Sequence, residues 1–204
     1  MNLLPVEEGV VVDVVFPIDG KFLPRDHTQQ LCEAVCQQWP QLAQEAMVGI
    51  HAIKLVSGGG EPAMLSRRAK LLLRVPRALA ADLLACQGVS LQVDGLELQL
   101  GQPHARDLQP HTTLYAYQVA ADSADEPAFM AQVARELAAL GVAGERVCGK
   151  RQHMKLKHGV VNTFSLMLHA LAPDQSLRLQ HHGIGPHRLF GCGLFIPHIS
   201  AAAV

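Results

Sequence analysis

One pattern of apolar spacing runs through the chain twice, and few folds accept it. Residues 10–17 (VVVDVVFP) are β-branched and nearly continuous, which reads as a buried strand. Asp26 then offers a helix cap, with Gln29 completing a capping box. Leu31, Ala34, Val35 and Trp39 recur at helical spacing until Pro40 stops the helix. A second strand is expected over 48–55, a turn at Gly58-Gly59-Gly60, and a third strand over 69–75. Pro76 opens a short helix over 77–86, and residues 90–100 form a hairpin-like pair broken at Asp94-Gly95. A polar, proline-containing stretch over 102–109 reads as a linker, after which the pattern restarts. Residues 112–120 (TTLYAYQVA) give a strand, and 126–140 an amphipathic helix with Phe129, Val133, Leu137 and Leu140 on one face. Strands over 145–157 and 159–171 meet at a His158-Gly159 turn, followed by a short helix over 173–180 and a closing strand over 193–197. The order β-α-β-β-α-β therefore occurs twice. It predicts an α+β chain of two tandem ferredoxin-like units, 1–103 and 104–204, each near the usual size of a small domain.

Composition narrows what those units can do. With 49% hydrophobic and 17% charged residues, the chain can pack real cores, so general disorder is excluded. No apolar run approaches the ~20 residues that span a bilayer. Residues 1–9 carry Glu7 and Glu8 and no basic residue, so they do not read as a secretory signal. The five cysteines lack a C-x-x-C pair and are expected to be reduced thiols of a cytoplasmic protein. The net charge of −1 conceals a division. Residues 1–144 hold 10 Lys and Arg against 16 Asp and Glu, whereas 145–204 hold 7 against 2, with seven of the eleven histidines. A basic C-terminal third suits a polyanion or makes a solvated face.

Three segments carry candidate chemistry. The segment 183–198 (GIGPHRLFGCGLFIPH) places Gly183, Gly185, Gly191 and Gly193 around His187 and Arg188. Clustered glycines either let backbone N–H groups cradle phosphate or build a tight loop before a final strand. A dinucleotide fold is excluded because no strand precedes the segment, and a P-loop because G-K-[ST] is missing. The segment 150–158 (KRQHMKLKH) alternates at strand period, so Arg151, His153, Lys155 and Lys157 share a face and Lys150 lies opposite. That face is either a track for an RNA backbone or an edge strand blunted by lysines. Ser66-Arg67-Arg68 is a weaker basic candidate on a loop. The histidines at 153, 158, 181, 182 and 187, even with Cys148 or Cys192, lack zinc-site spacing, and no metal or other cofactor is expected. Cys32 and Cys36, one helical turn apart, read as small core-facing residues.

The segment RLFGCGLFIPH, together with FPIDGKFLPRDH near the start, resembles the repeat-associated (RAMP) superfamily of CRISPR proteins. It looks most like the precursor-CRISPR-RNA-processing endoribonucleases of the myxan-subtype type I branch. The resemblance implies two ferredoxin-like units and metal-independent cleavage within repeat RNA. There the 2′-hydroxyl attacks the adjacent phosphate, leaving a 2′,3′-cyclic phosphate and a 5′-hydroxyl. It also implies that His27 is the catalytic histidine, with Lys21, Lys54 or Lys155 as an open choice of helper. His51, between apolar neighbours in GIHAIKL, is the rival histidine, read on its own as a hydrogen-bonded strand residue. RNA binding is expected at Arg151, Lys155, Lys157, Gly183, Gly185, His187, Arg188, Gly191 and Gly193. The implied partners are precursor and mature CRISPR RNA and the protein subunits of an effector complex, with no membrane. The alternative is a non-catalytic guide-RNA-binding subunit of the same superfamily, which needs the basic face but not His27.

Overall fold

The computed structural model describes residues 11–58, 60–86 and 88–198. The reading of residues 1–9, the start of the first strand at Val10, and the central Gly59 of the glycine turn lie outside them. The chain divides into two compact units, Val11–Asp107 with Leu189–Gly191, and Leu108–Arg188 with 192–198.

In the first unit, β1 (Val11–Asp19) runs through the middle of a sheet. Antiparallel β5 (Lys70–Pro76) pairs along one side of it, with Val14 opposite Leu73, and β3 (Gly49–Ile50) lies beyond. The opposite side is shared. β7 (Leu96–Leu100) pairs with Ile18 and Asp19, and β8 (His104–Asp107) pairs with Val12–Val15. β6 (Ser90–Val93) closes the edge against β7 through a turn in which Asp94 and Gly95 both take positive φ. Val12, Val14, Phe16 and Ile18 face a core built with α1 (Thr28–Gln38) and α2 (Arg77–Leu84). There Leu31, Val35 and Leu83 are buried, and Phe16 meets Trp39 at 5.5 Å between ring centroids. Val11, Asp13 and Val15 occupy the other face and are also buried, which explains the unbroken apolar run of the sequence.

The second unit repeats the order. β9 (Leu114–Ala121), α3 (Glu126–Ala139), the long hairpin β10 (Glu145–Leu156) and β11 (Gly159–His169), α4 (Pro173–His182) and β12 (Ile196–Pro197) form an antiparallel sheet in the order β10-β11-β9-β12. The Asp125 carboxylate caps α3 by accepting the Ala128 N–H at 3.0 Å. Phe129, Val133 and Leu137 fill the core as their spacing requires, with Phe129 stacked on Phe164 at 4.6 Å. The two units are tandem ferredoxin-like folds.

Four local readings change. His27, not Asp26, is the cap residue of α1 and makes no side-chain cap bond, while Gln29 bonds Glu33 instead of closing a capping box. The strand expected over 48–55 shrinks to Gly49–Ile50, because the backbone at 51–54 leaves the sheet and returns only as a Leu55–Leu65 bridge. A two-stranded ribbon of β2 (Phe22–Leu23) and β4 (Ala63–Met64) is too short for the sequence pattern to announce. The supposed linker contains β8, so the division between units falls at Asp107/Leu108 and not at 103/104. All four β8 residues are exposed, so the strand leaves no hydrophobic pattern to read. Among the described residues no helix is long and apolar enough to cross a membrane.

Candidate active site

Pro24 ends the β2 segment with its carbonyl turned toward the His27 ring, which the first turn of α1 holds inward. His27 is only 4% exposed. Its Nδ1–H donates to Pro24 O at 2.9 Å, which leaves Nε2 to accept the Ile53 N–H at 3.2 Å. Both nitrogens are thus held by backbone, and the tautomer follows from the partners. Burial, partly opposed by the Pro24 and Arg25 backbone and by Asp26, holds the imidazole below its usual pKa. His27 therefore anchors the irregular 51–54 segment, which carries the half-buried His51 and the exposed Lys54.

His51 continues from β3, its N–H donating to Leu72 O at 3.0 Å. Gly49 lies opposite Arg74, and Asp13 lies opposite the same arginine from β1, so the register carries His51 to the Asp13–Arg74 face. Asp13 and Arg74 are each 1% exposed and joined through Nε and Nη2 at 2.8 and 3.2 Å. Arg106, opposite Asp13 on β8, adds a bond to Oδ2 at 3.0 Å. Burial alone would raise the Asp13 carboxyl, but the charge and hydrogen bonding of Arg74, with His51 and Arg106, bring it below its usual value. This network is the feature that sequence reasoning missed. Its signal was an acid in the middle of a buried apolar run.

Of the three candidate helper lysines, Lys54 shares the His51 segment and exposed Lys21 precedes β2, which leads to Pro24 and His27. Lys155 lies on β10 of the other unit.

The glycine-rich segment is built for close internal approach. A Cβ on Gly193, whose φ is +67°, would lie 1.9 Å from Ile184 O. One on Gly183, at φ +62°, would lie 2.3 Å from Gly193 O. Three of the four glycine N–H groups are engaged within the chain: Gly183 with Leu179 O, Gly185 with the Glu136 carboxylate, and Gly193 with Gln118 O. Gly191 packs against the backbone of Ile50 and Ala52. The Arg188 guanidinium donates to the carbonyls of His181 and His182, capping the C-terminus of α4. His187 takes φ +70°, and its carbonyl accepts the Cys192 N–H at 3.2 Å. With burial, Arg188 and Arg178 nearby, His182 is held below its usual pKa.

On β10, Arg151, His153 and Lys155 are exposed while Met154 between them is buried, as the alternation requires. Arg151 donates to Ala124 O at 3.4 Å. Lys157 sits in the turn beyond the strand, and a register shift between Cys148 and Arg151 replaces the simple alternation that set Lys150 opposite. β10 is the edge of its sheet. Among the described residues no group of three or more His, Cys, Asp or Glu side chains is placed to hold a metal ion. Cys32 and Cys36 face each other along α1, and their hydrogen bond raises the Cys32 thiol and lowers Cys36 to about 7.

Two tandem ferredoxin-like units, with His27 at the start of α1 and His51 beside Asp13 of β1, define the class of protein by its fold. Within that class the chain belongs to the Cas6 family, whose model, described as Cas6 Crispr, matches residues 12–200. It is 37% identical over 196 residues to the CRISPR-associated endonuclease Cas6 of Myxococcus xanthus, covering 96% of this chain and 85% of that one. Among solved structures it resembles a CRISPR associated protein Cas6 at a TM-score of 0.66 and 10% identity, over 93% of this chain and all of that one. It also resembles a RAMP protein binding different RNA substrates at 0.60 and 11%, over 90% and 98%. At these identities the two structures speak for the fold.

Proposed function

We propose that this chain is an endoribonuclease that cuts precursor CRISPR RNA within its repeats and stays with the guide RNA among the protein subunits of an effector complex. The carrying observation is membership of the Cas6 family along nearly the whole chain, including a relative named an endonuclease. The reaction needs no metal. The ribose 2′-hydroxyl gives its proton to a base as its oxygen attacks the adjacent phosphorus. The 5′-oxygen leaves and takes a proton from an acid, giving a 2′,3′-cyclic phosphate and a 5′-hydroxyl.

The resemblance assigns the proton transfer to His27. For that, Nε2 must leave the Ile53 N–H and reach solvent. The bonding of both ring nitrogens favours a second reading, in which His27 positions the 51–54 segment and His51, with Lys54, performs the acid–base work. Asp13, Arg74 and Arg106 together carry a net charge of +1 beside His51, which suits an incoming phosphate. Arg151, Lys155 and Lys157 hold the RNA backbone from the second unit. Gly183, Gly185, His187, Arg188, Gly191 and Gly193 serve RNA by fixing the loop rather than through free N–H donors.

Single-turnover cleavage of repeat RNA in excess EDTA tests the reading. One general acid–base residue is worth ~10²–10⁴ in rate, so His51→Ala should lose about that much with binding retained. Glutamine presents an acceptor near the position of histidine Nε2. If His27 positions, His27→Gln keeps most of the rate and His27→Ala does not. If His27 transfers the proton, both lose it. Intact RNA after incubation with the wild-type protein would overturn the whole reading.

A further inference from the structure

Beside the histidine segment, three short stretches form a small sheet. β2 pairs Phe22 with Met64 and Leu23 with Ala63 of β4. On the far side of β4, Leu55 bridges Leu65, and the Val56 N–H donates to Met64 O at 3.1 Å. Alternation turns Leu23, Ala63, Leu55 and Leu65 inward, where Leu23 is buried and Leu55 and Leu65 pack against the core of the first unit. It leaves Phe22, Met64 and Val56 in a row across the outer face. They are 40%, 61% and 44% exposed, and they make up three of the six large hydrophobic side chains exposed among the described residues. Exposed Lys54 directly precedes Leu55, and Arg67 and Arg68 follow Ser66 into an exposed turn. Glu61, at the head of β4, accepts the Arg25 backbone N–H at 3.3 Å.

An aromatic ring, a thioether and a branched side chain in line, bordered by Lys54, Arg67 and Arg68, match what unpaired nucleotides require. Bases stack on aromatic and apolar faces, and the phosphates between them follow cations. We infer that this face binds an unpaired stretch of the RNA substrate, with bases on Phe22 and Met64 and phosphates at Lys54, Arg67 and Arg68. The inference rests on the RNA-cleaving reading above and extends it. Lys54 directly follows Ile53, whose N–H is held by His27, so a strand bound here runs beside the histidines.

The test uses the full-length protein and an unstructured ten-nucleotide polypyrimidine RNA carrying one 2-aminopurine, a base whose fluorescence falls on stacking. The wild-type protein should bind it and quench it. Phe22→Ala should weaken binding about five- to a hundred-fold and abolish the quench, whereas Phe22→Tyr keeps both. Met64→Ser, at a more exposed site, gives an independent variant, and thermal melting of each confirms folding. Replacing Arg67 and Arg68 together with Ala should lower the logarithmic salt slope by roughly 1.4, at ~0.7 per phosphate neutralised. Unchanged affinity and quench in folded Phe22→Ala and Met64→Ser overturn the inference and leave the face to a protein partner, while the RNA-cleaving reading survives. Wild-type protein that binds neither this probe nor repeat RNA overturns that reading as well.

Discussion

Replacing Gly193 with alanine puts the fold of the glycine-rich segment to a direct test. The added Cβ would lie 1.9 Å from Ile184 O and 3.0 Å from Ile184 C, both backbone atoms with no flexible end to swing away. At φ +67° the residue is also in the left-handed region, which costs an L side chain about 1–2 kcal/mol. Moving packed backbone to relieve the overlap adds about 1–3 kcal/mol. The sum, about 2–5 kcal/mol, is a large share of the ~5–15 kcal/mol that holds a typical protein together. At roughly 2–4 °C per kcal/mol for a chain of this size, Gly193→Ala should melt about 4–20 °C lower. Gly185→Ala is the matched control. Its φ is +71°, but its Cβ would stand 3.6 Å from Ala120 O, an ordinary contact, so only the conformational cost applies and the shift should be a few degrees. Circular dichroism melts measure both, and RNA affinity is compared well below the lower midpoint. If Gly193→Ala melts with the wild type while losing RNA affinity, the segment is a ligand cradle and the steric argument fails.

Other outcomes follow from the same structure. Burial lowers the His27 pKa, so the folded state favours the neutral ring. Its contribution to stability is full above the usual 6.5 and is lost as pH falls through the lowered folded value, so melting temperature should drop on acidification, and less steeply in His27→Gln. Asp13→Ala leaves the Arg74 guanidinium buried without its carboxylate and should cost about 3–5 kcal/mol in denaturant unfolding; a loss under about 1 kcal/mol would show that the pair is not sealed from water. Lys155→Ala with Lys157→Ala should flatten the salt dependence of repeat-RNA binding, by ~0.7 for each phosphate no longer neutralised, and an unchanged slope removes the β10 hairpin from the RNA surface.

Burial pattern made most of the fold legible. Val12, Val14, Phe16 and Ile18 needed a core on one face of β1, and Phe129, Val133 and Leu137 needed one on α3. Where a strand is very short or buries no side chain, the sequence is silent. His104–Asp107 has no buried side chain, so a strand reads as a linker, and the ribbon of β2 and β4 is two residues on each side. The site was partly legible for a related reason. A glycine cluster announces unusual backbone without saying whether a ligand or the chain itself makes the close approach. At Gly183 and Gly193 the chain makes it.

His27 shows how a motif can mark a position without fixing its chemistry. An Asp-His pair at a helix start is compatible with a reactive imidazole, because a helix N-terminus disfavours the protonated form and accommodates phosphate. The same pair is compatible with a ring that holds two backbone segments together. Only the long-range partner decides, and Ile53 lies 26 residues along the chain. Asp13 is the converse case. Its sequence context, VVVDVVF, gives no hint of a partner, yet a carboxylate inside a two-sided sheet must find cations, and the antiparallel register supplies Arg74 and Arg106 directly opposite. That register also aligns Gly49 with Arg74, so the chain two residues later brings His51 to the same charged group. The histidine at the helix start and the acid in the first strand therefore converge on one short segment. His27 holds it by the backbone of Ile53, and the Asp13 network lies beside His51. A segment fixed in this way can present an imidazole and a lysine on one short stretch of chain, and the EDTA experiment on His51→Ala and His27→Gln separates the group that holds from the group that reacts.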